Sequence, residues 1–158
     1  MPTELSPDDF WSRLDGVQAG MLSLDGARPV PMSHYADRDA GTIWFITAEG
    51  TDMVSALKGG PAQARYIVAS GSDKLYARID GTATLVTDPA KLDELWNPIA
   101  GAWFEGERDP DVRLVGVVLS EAEVWATDGG LKFFWEIAKA HATDSHPDMG
   151  EHGTIRFG

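Results

Sequence analysis

A chain of 158 residues is long enough for one hydrophobic core and short for two, so a single domain spanning residues 1–158 is expected. Its formal charge of −12 opposes phosphate backbones and anionic lipid, and its lack of cysteine removes thiol nucleophiles, disulfides and thiolate metal sites. No apolar run reaches the roughly 18 residues that cross a bilayer, and residues 1–10 lack the basic flank and apolar stretch of a secretory signal, so a cytoplasmic protein binding neither nucleic acid nor membrane is expected.

Ser6, Pro7 and Asp9 read as an N-cap, a first-turn proline and an acidic third position, and Phe10, Leu14 and Val17 follow at helical spacing. Gly20–Leu24 and Arg28–Tyr35 are strand-like runs around Asp25-Gly26, a dipeptide suited to a hairpin turn. After a polar turn at Asp37–Gly41, the β-branched and aromatic run Thr42–Thr47 predicts a third strand. Thr51–Lys58 predicts two helical turns with Val54 and Leu57 inward, ended by Gly59, Gly60 and Pro61. Two strands follow, Ala64–Ala69 and Lys74–Val86; the second alternates Leu75, Ala77 and Ile79 against polar neighbours until Gly81 suggests a bulge. Asp88-Pro89 opens a helix with Leu92, Leu95, Trp96, Ile99 and Trp103 on one stripe, kinked by Pro98. A strand over Val112–Leu119, a break at Ser120-Glu121-Ala122 and a short strand through Val124 and Trp125 come next. Leu131, Phe134, Trp135 and Ala138 mark a last helix, and Thr154–Phe157 an edge strand. Six or seven hairpin-linked strands with short helices between them fit a mainly β antiparallel barrel with helices outside it, not a doubly wound parallel sheet.

Residue types alone announce no reaction. His141, His146 and His152 lie near Asp144, Asp148 and Glu151, but their spacing matches no helical or zinc-ligand pattern, so no metal site is expected. His34 lies in a strand without a Ser or Asp placed to complete a triad. Gly59-Gly60 and Gly129-Gly130 lack the context of a phosphate-binding loop.

Five segments in order do carry a resemblance: ARPVPMS (27–33), TIWFIT (42–47), KLYARIDGTATLVTD (74–88), residues 92–130 and residues 132–155. Together they resemble the general stress protein 26 family of pyridoxamine 5′-phosphate oxidase-like split barrels. The resemblance implies a six-stranded antiparallel split β-barrel with peripheral helices, working as a homodimer that binds FMN in clefts between its subunits. It further implies a flavin-dependent oxidoreductase of unknown substrate, in which FMN exchanges a hydride at N5, or else a module of the same dimeric fold that binds flavin or another planar cofactor without turnover. Pro31, Met32 and Ser33 would lie along the flavin, Thr47 beside Ile46 at its phosphate or ribityl end, and Tyr76 and Trp103 near the ring. Where the family pattern places a phosphate-binding lysine and the residue before it, this chain has Met53 and Asp52, which leaves Arg28, Lys58 and Arg65 as nearby cations. The Arg-Leu-His signature of the vitamin B6 oxidases is absent from the C-terminal region, so their activity is not implied.

Overall fold

A computed structural model describes residues 6–96, 109–126 and 151–157. The helix expected at 131–138 and the edge of the kinked helix beyond Trp96 lie outside them. Ser6 caps α1 (Pro7–Gly16), its hydroxyl accepting from the Asp9 N–H at 3.1 Å, and Phe10, Trp11 and Leu14 turn inward. Thr51 likewise caps α2 (Asp52–Leu57), and Asp88 caps α3 (Pro89–Leu95). Side-chain oxygens thus meet orphan N–H groups at all three helix starts.

Eight strand segments form one antiparallel sheet: β1 (Gly20–Leu24), β2 (Ala27–Met32), β3 (Tyr35–Asp37), β4 (Thr42–Ala48), β5 (Ala62–Ser70), β6 (Leu75–Val86), β7 (Val112–Ala126) and β8 (Glu151–Arg156). Their order is β2-β1-β5-β6-β7-β4-β3, with β8 added to β7. This curled, mainly β sheet has the architecture of a split barrel. The single strand expected over Arg28–Tyr35 is two strands at opposite ends of this order, joined by Ser33 and His34 alone. Two residues can bridge the ends only if the sheet curls until its edges approach.

β7 runs unbroken where a break was expected at residues 120–122. Asp80 pairs with Glu121 and Gly81 with Leu119, so Ser120 is the extra residue of a bulge that bends the strand without ending it. Its outer edge then serves two partners in turn, β4 over residues 112–118 and β8 over residues 121–126. Inward residues of every long strand and of α1 and α2 share one core, including Leu22, Phe45, Tyr66, Ile79, Val115 and Val124. α3 buries none of its side chains among the described residues, so the apolar stripe read there is only half-covered. No helix among the described residues is long and apolar enough to cross a membrane.

At Gly81 the facing strand leaves no space: a Cβ there would sit 2.4 Å from the Val118 carbonyl oxygen and 2.9 Å from the Val117 side chain. Gly81→Ala is therefore expected to lower stability by about 1–3 kcal/mol, because backbone must move to admit one carbon. Urea denaturation measures this, and an unchanged midpoint would show that the bulge adapts without cost.

Candidate functional site

β4 and the turn into α2 carry four of the residues singled out from the sequence. Strand alternation sends Ile46 and Thr47 to opposite faces, Ile46 half-buried outside and Thr47 buried inside. Thr47 is 8% exposed, and among the described residues its side chain makes no hydrogen bond. A buried hydroxyl without a partner is uncommon enough to mark a place where a ligand or water belongs. Asp52 is exposed at the start of α2, whereas Met53 is 3% exposed and packed into the core.

The register of β4 on β7 places Arg113 directly opposite Thr47, and such partners project to the same face. Arg113 binds Glu49 at 3.0 Å through Nη2 and donates to the Pro110 carbonyl at 2.6 Å. The second oxygen of Glu49 takes the Lys58 ammonium. That hydrogen bond from Lys58, helped by the charge of Arg113, holds the Glu49 carboxyl below the usual carboxylate range. A buried hydroxyl, two cations and one exchangeable carboxylate therefore meet at one end of the β4–β7 ladder. A cleft of about 320 Å³, lined by Leu85, Val86, Leu92, Val112, Arg113 and Leu114, lies alongside. Sequence reasoning missed Arg113 because it stands 66 positions from Thr47 and only the strand register joins them.

On β2, Pro31 is exposed, Met32 half-buried and the following Ser33 exposed. The Met32 carbonyl accepts from the Tyr66 hydroxyl at 3.0 Å, and Tyr66 Oη also lies 2.7 Å from His34 Nδ1. His34 Nε2 reaches the Leu14 carbonyl at 2.9 Å. Both ring nitrogens are thus occupied, and no Ser-His-Asp arrangement forms around His34. α2 packs against β1 and β2, which puts the Thr47–Met53 turn on the same side of the barrel as the Pro31 strand.

Tyr76 lies elsewhere. Its partner on β7 is Trp125, 12 positions from Arg113, or about 40 Å of strand path at roughly 3.3 Å per residue. Thr47 and Tyr76 thus face opposite ends of β7. Trp103 lies outside the described residues. Of the other cations, Arg65 is held bidentate by Asp80 at 2.7 and 3.2 Å. It lines a larger cleft of about 540 Å³ that contains none of the other expected site residues. Arg28 is exposed on β2 and, among the described residues, has no carboxylate partner. No cluster of three metal-ligating side chains occurs among the described residues.

With the geometry in place, comparison with known proteins narrows its meaning. The profile of the pyridoxamine 5′-phosphate oxidase-like family matches residues 6–148. The solved general stress protein 26 of a Jannaschia species is 47% identical, with 94% of this chain and 96% of that one covered at a TM-score of 0.78. The general stress FMN/FAD binding protein of Xanthomonas citri is 32% identical over 78% of this chain and 90% of that one, at a TM-score of 0.70. A general stress family protein of Xanthomonas campestris is also 32% identical, over 78% and 88%, at 0.68. No curated protein sequence matches the chain.

The burial of Met53 sets an expectation for the lysine that the family pattern places there. Met53→Lys is expected to destabilise the fold by about 3 kcal/mol, because the ammonium enters the core without a carboxylate to meet it. Thermal and urea unfolding measure the loss; unchanged stability would mean that the side chain swings out toward the Thr47 corner.

Proposed function

The chain belongs to the pyridoxamine 5′-phosphate oxidase-like family, among its general stress proteins, and on that premise we propose that it binds FMN and acts as a flavin-dependent oxidoreductase. The observation that carries this reading is the Thr47 hydroxyl, buried and without a hydrogen-bond partner among the described residues, at a strand position whose cross-strand neighbour is Arg113. A phosphate dianion suits that corner: the hydroxyl donates one hydrogen bond, Arg113 and Lys58 supply charge, and Glu49 withdraws as the phosphate arrives. The kinship with the Xanthomonas citri FMN/FAD binding protein supports the same choice of ligand. When bound, FMN supplies hydride chemistry at N5. The chain's own residues then hold and orient it: the Pro31–Ser33 backbone lies along the ribityl chain and ring, and Ile46 and the cleft beside Arg113 offer apolar surface.

Tyr76 pairs with the end of β7 opposite to the one that faces Thr47, so we read the protein as a homodimer in which a second copy of the chain brings its Tyr76 to the flavin between subunits. Met21, Val30, Ile67 and Val118, exposed by 40 to 56%, give the sheet apolar surface that association covers. One observation favours a second reading. Glu49 already engages both cations, and Asp52 adds a further carboxylate at the start of α2, an arrangement that suits weak flavin binding without turnover.

Titration of FMN and riboflavin, followed by flavin fluorescence, tests the site. Thr47→Ala is expected to weaken FMN by roughly 1.5 kcal/mol, about tenfold, and to leave riboflavin unchanged, since riboflavin lacks the phosphate. Glu49→Gln is expected to tighten FMN, because it frees Lys58 and Arg113. Equal losses for both flavins in Thr47→Ala would remove the phosphate from this corner. Light scattering should give twice the mass of one chain, and a monomer would remove the intersubunit site. Bleaching of the bound flavin by NADH or NADPH separates the oxidoreductase from the passive module.

A further inference from the structure

The joint between β2 and β3 is held by a hydrogen-bond relay that neither the core nor the Thr47 corner accounts for. Ser33 and His34 carry the chain from one end of the strand order to the other. Around them, the Leu14 carbonyl on α1, both nitrogens of His34, the Tyr66 hydroxyl on β5 and the Met32 carbonyl at the end of β2 lie in one chain of contacts at 2.9, 2.7 and 3.0 Å. The Tyr66 ring also packs edge-on against Phe45 of β4, with centroids 5.1 Å apart. One phenol thereby ties together β5, β4, the end of β2 and the residue just before β3.

We infer that His34 and Tyr66 are a positioning pair, which sets the path of the Pro31–Tyr35 backbone and so the surface it offers to a flavin. The consequence for flavin binding rests on the function proposed above; the pair itself rests on the contacts just given. The chemistry of the relay is asymmetric. A carbonyl only accepts, so Nε2 carries the ring proton toward Leu14, and neutral Nδ1 then competes with the Met32 carbonyl for the single Tyr66 hydroxyl proton. A cationic His34 would satisfy every member: Nδ1–H donates to Tyr66 Oη and the hydroxyl donates to Met32.

Burial works against that cation. Desolvation lowers the His34 pKa from its ordinary 6.5, outweighing the hydrogen bond to Leu14 and the charge of Asp15. Burial likewise raises the Tyr66 hydroxyl far above its ordinary value, so it stays protonated. The surrounding groups are few. α1 contributes Asp15, while its Arg13 is engaged with the Lys74 carbonyl at 2.8 Å; β5 contributes Tyr66, β3 continues with Tyr35, and β4 presents the uncharged Phe45. The sign of the pH dependence follows. A histidine freed from the joint takes up a proton more readily than one held in it, so the joint is firm above pH 6.5 and increasingly favours opening as pH falls below that value.

Tyr66→Phe deletes the hydroxyl and keeps the ring against Phe45; His34→Gln keeps a donor and an acceptor and cannot titrate. The first measurement uses the protein without flavin: amide hydrogen-exchange protection of residues 32–36, set against that of β6 and β7. Tyr66→Phe is expected to cut protection at 32–36 about tenfold while β6 and β7 change little. Wild-type protection there is expected to fall as pH drops below 6.5, and His34→Gln is expected to flatten that profile. The second measurement is riboflavin affinity over the same pH range, chosen because riboflavin has no phosphate to titrate. It should fall several-fold with acidification in the wild type and stay level in His34→Gln. Unchanged or uniformly reduced protection in Tyr66→Phe overturns the positioning role, and a wild-type exchange profile that matches His34→Gln overturns the role of the His34 proton. If exchange behaves as expected but the wild type binds neither riboflavin nor FMN, the flavin reading fails and the positioning pair stands.

Discussion

The curl of the sheet depends on a connection only two residues long. β2 and β3 are the terminal strands of the hydrogen-bonded order, yet Met32 ends one and Tyr35 begins the other. An open sheet of this width would hold its edges several strand spacings apart, each roughly 4.8 Å. The chain therefore imposes curvature, and Tyr66 is the internal strut that matches it, reaching Met32 and His34 with its hydroxyl and Phe45 with its ring. Burying a phenol and an imidazole is costly unless their polar atoms are satisfied. The relay to Leu14 and Met32 meets that condition and makes the strut specific where an all-apolar contact would leave the edges free to slide.

β7 is the second constraint, and it distributes the curvature. It pairs with β6 over residues 114–126 and gives its other edge first to β4 and then to β8. The bulge at Ser120 marks the changeover, where the Leu119 N–H bonds the Gly41 carbonyl at 2.9 Å and the Phe157 N–H bonds the Ser120 carbonyl at 2.9 Å. Small residues permit the closeness: Gly81 faces the bulge, and Gly116 lies beneath the Trp44 ring. Trp44 is held in turn by Asp37 at 3.3 Å and covered by Lys91 of α3 at 5.5 Å from its ring.

Electrostatics then localises function on a chain whose net charge is −12. Several described cations are each held by one carboxylate on a neighbouring strand, as in Arg65 with Asp80 and Arg78 with Glu123. These half-exposed pairs are worth little each and chiefly set register. The Glu49 corner differs, because one carboxylate serves two cations and a buried hydroxyl waits beside them. Local positive potential within a negative field is what an acidic protein needs if it is to hold a phosphate.

Much of the fold was legible in the sequence because it is written in local periodicities. The Ser6 and Asp88-Pro89 helix starts and the alternation of Leu75, Ala77 and Ile79 arise from interactions between residues close in sequence, where backbone chemistry and side-chain type decide. The continuity of β7 through Ser120 and the splitting of Arg28–Tyr35 were not legible, since each depends on a distant partner: β6 and β8 hold the first, Tyr66 and Leu14 force the second. The site divides the same way. Thr47 could be named from a family resemblance, but its partner Arg113, the burial of Met53 and the remoteness of Tyr76 came from register and packing. A strand's periodicity states which face a residue takes and is silent on which strand lies beside it, because pairing is chosen by the sum of contacts over the whole sheet.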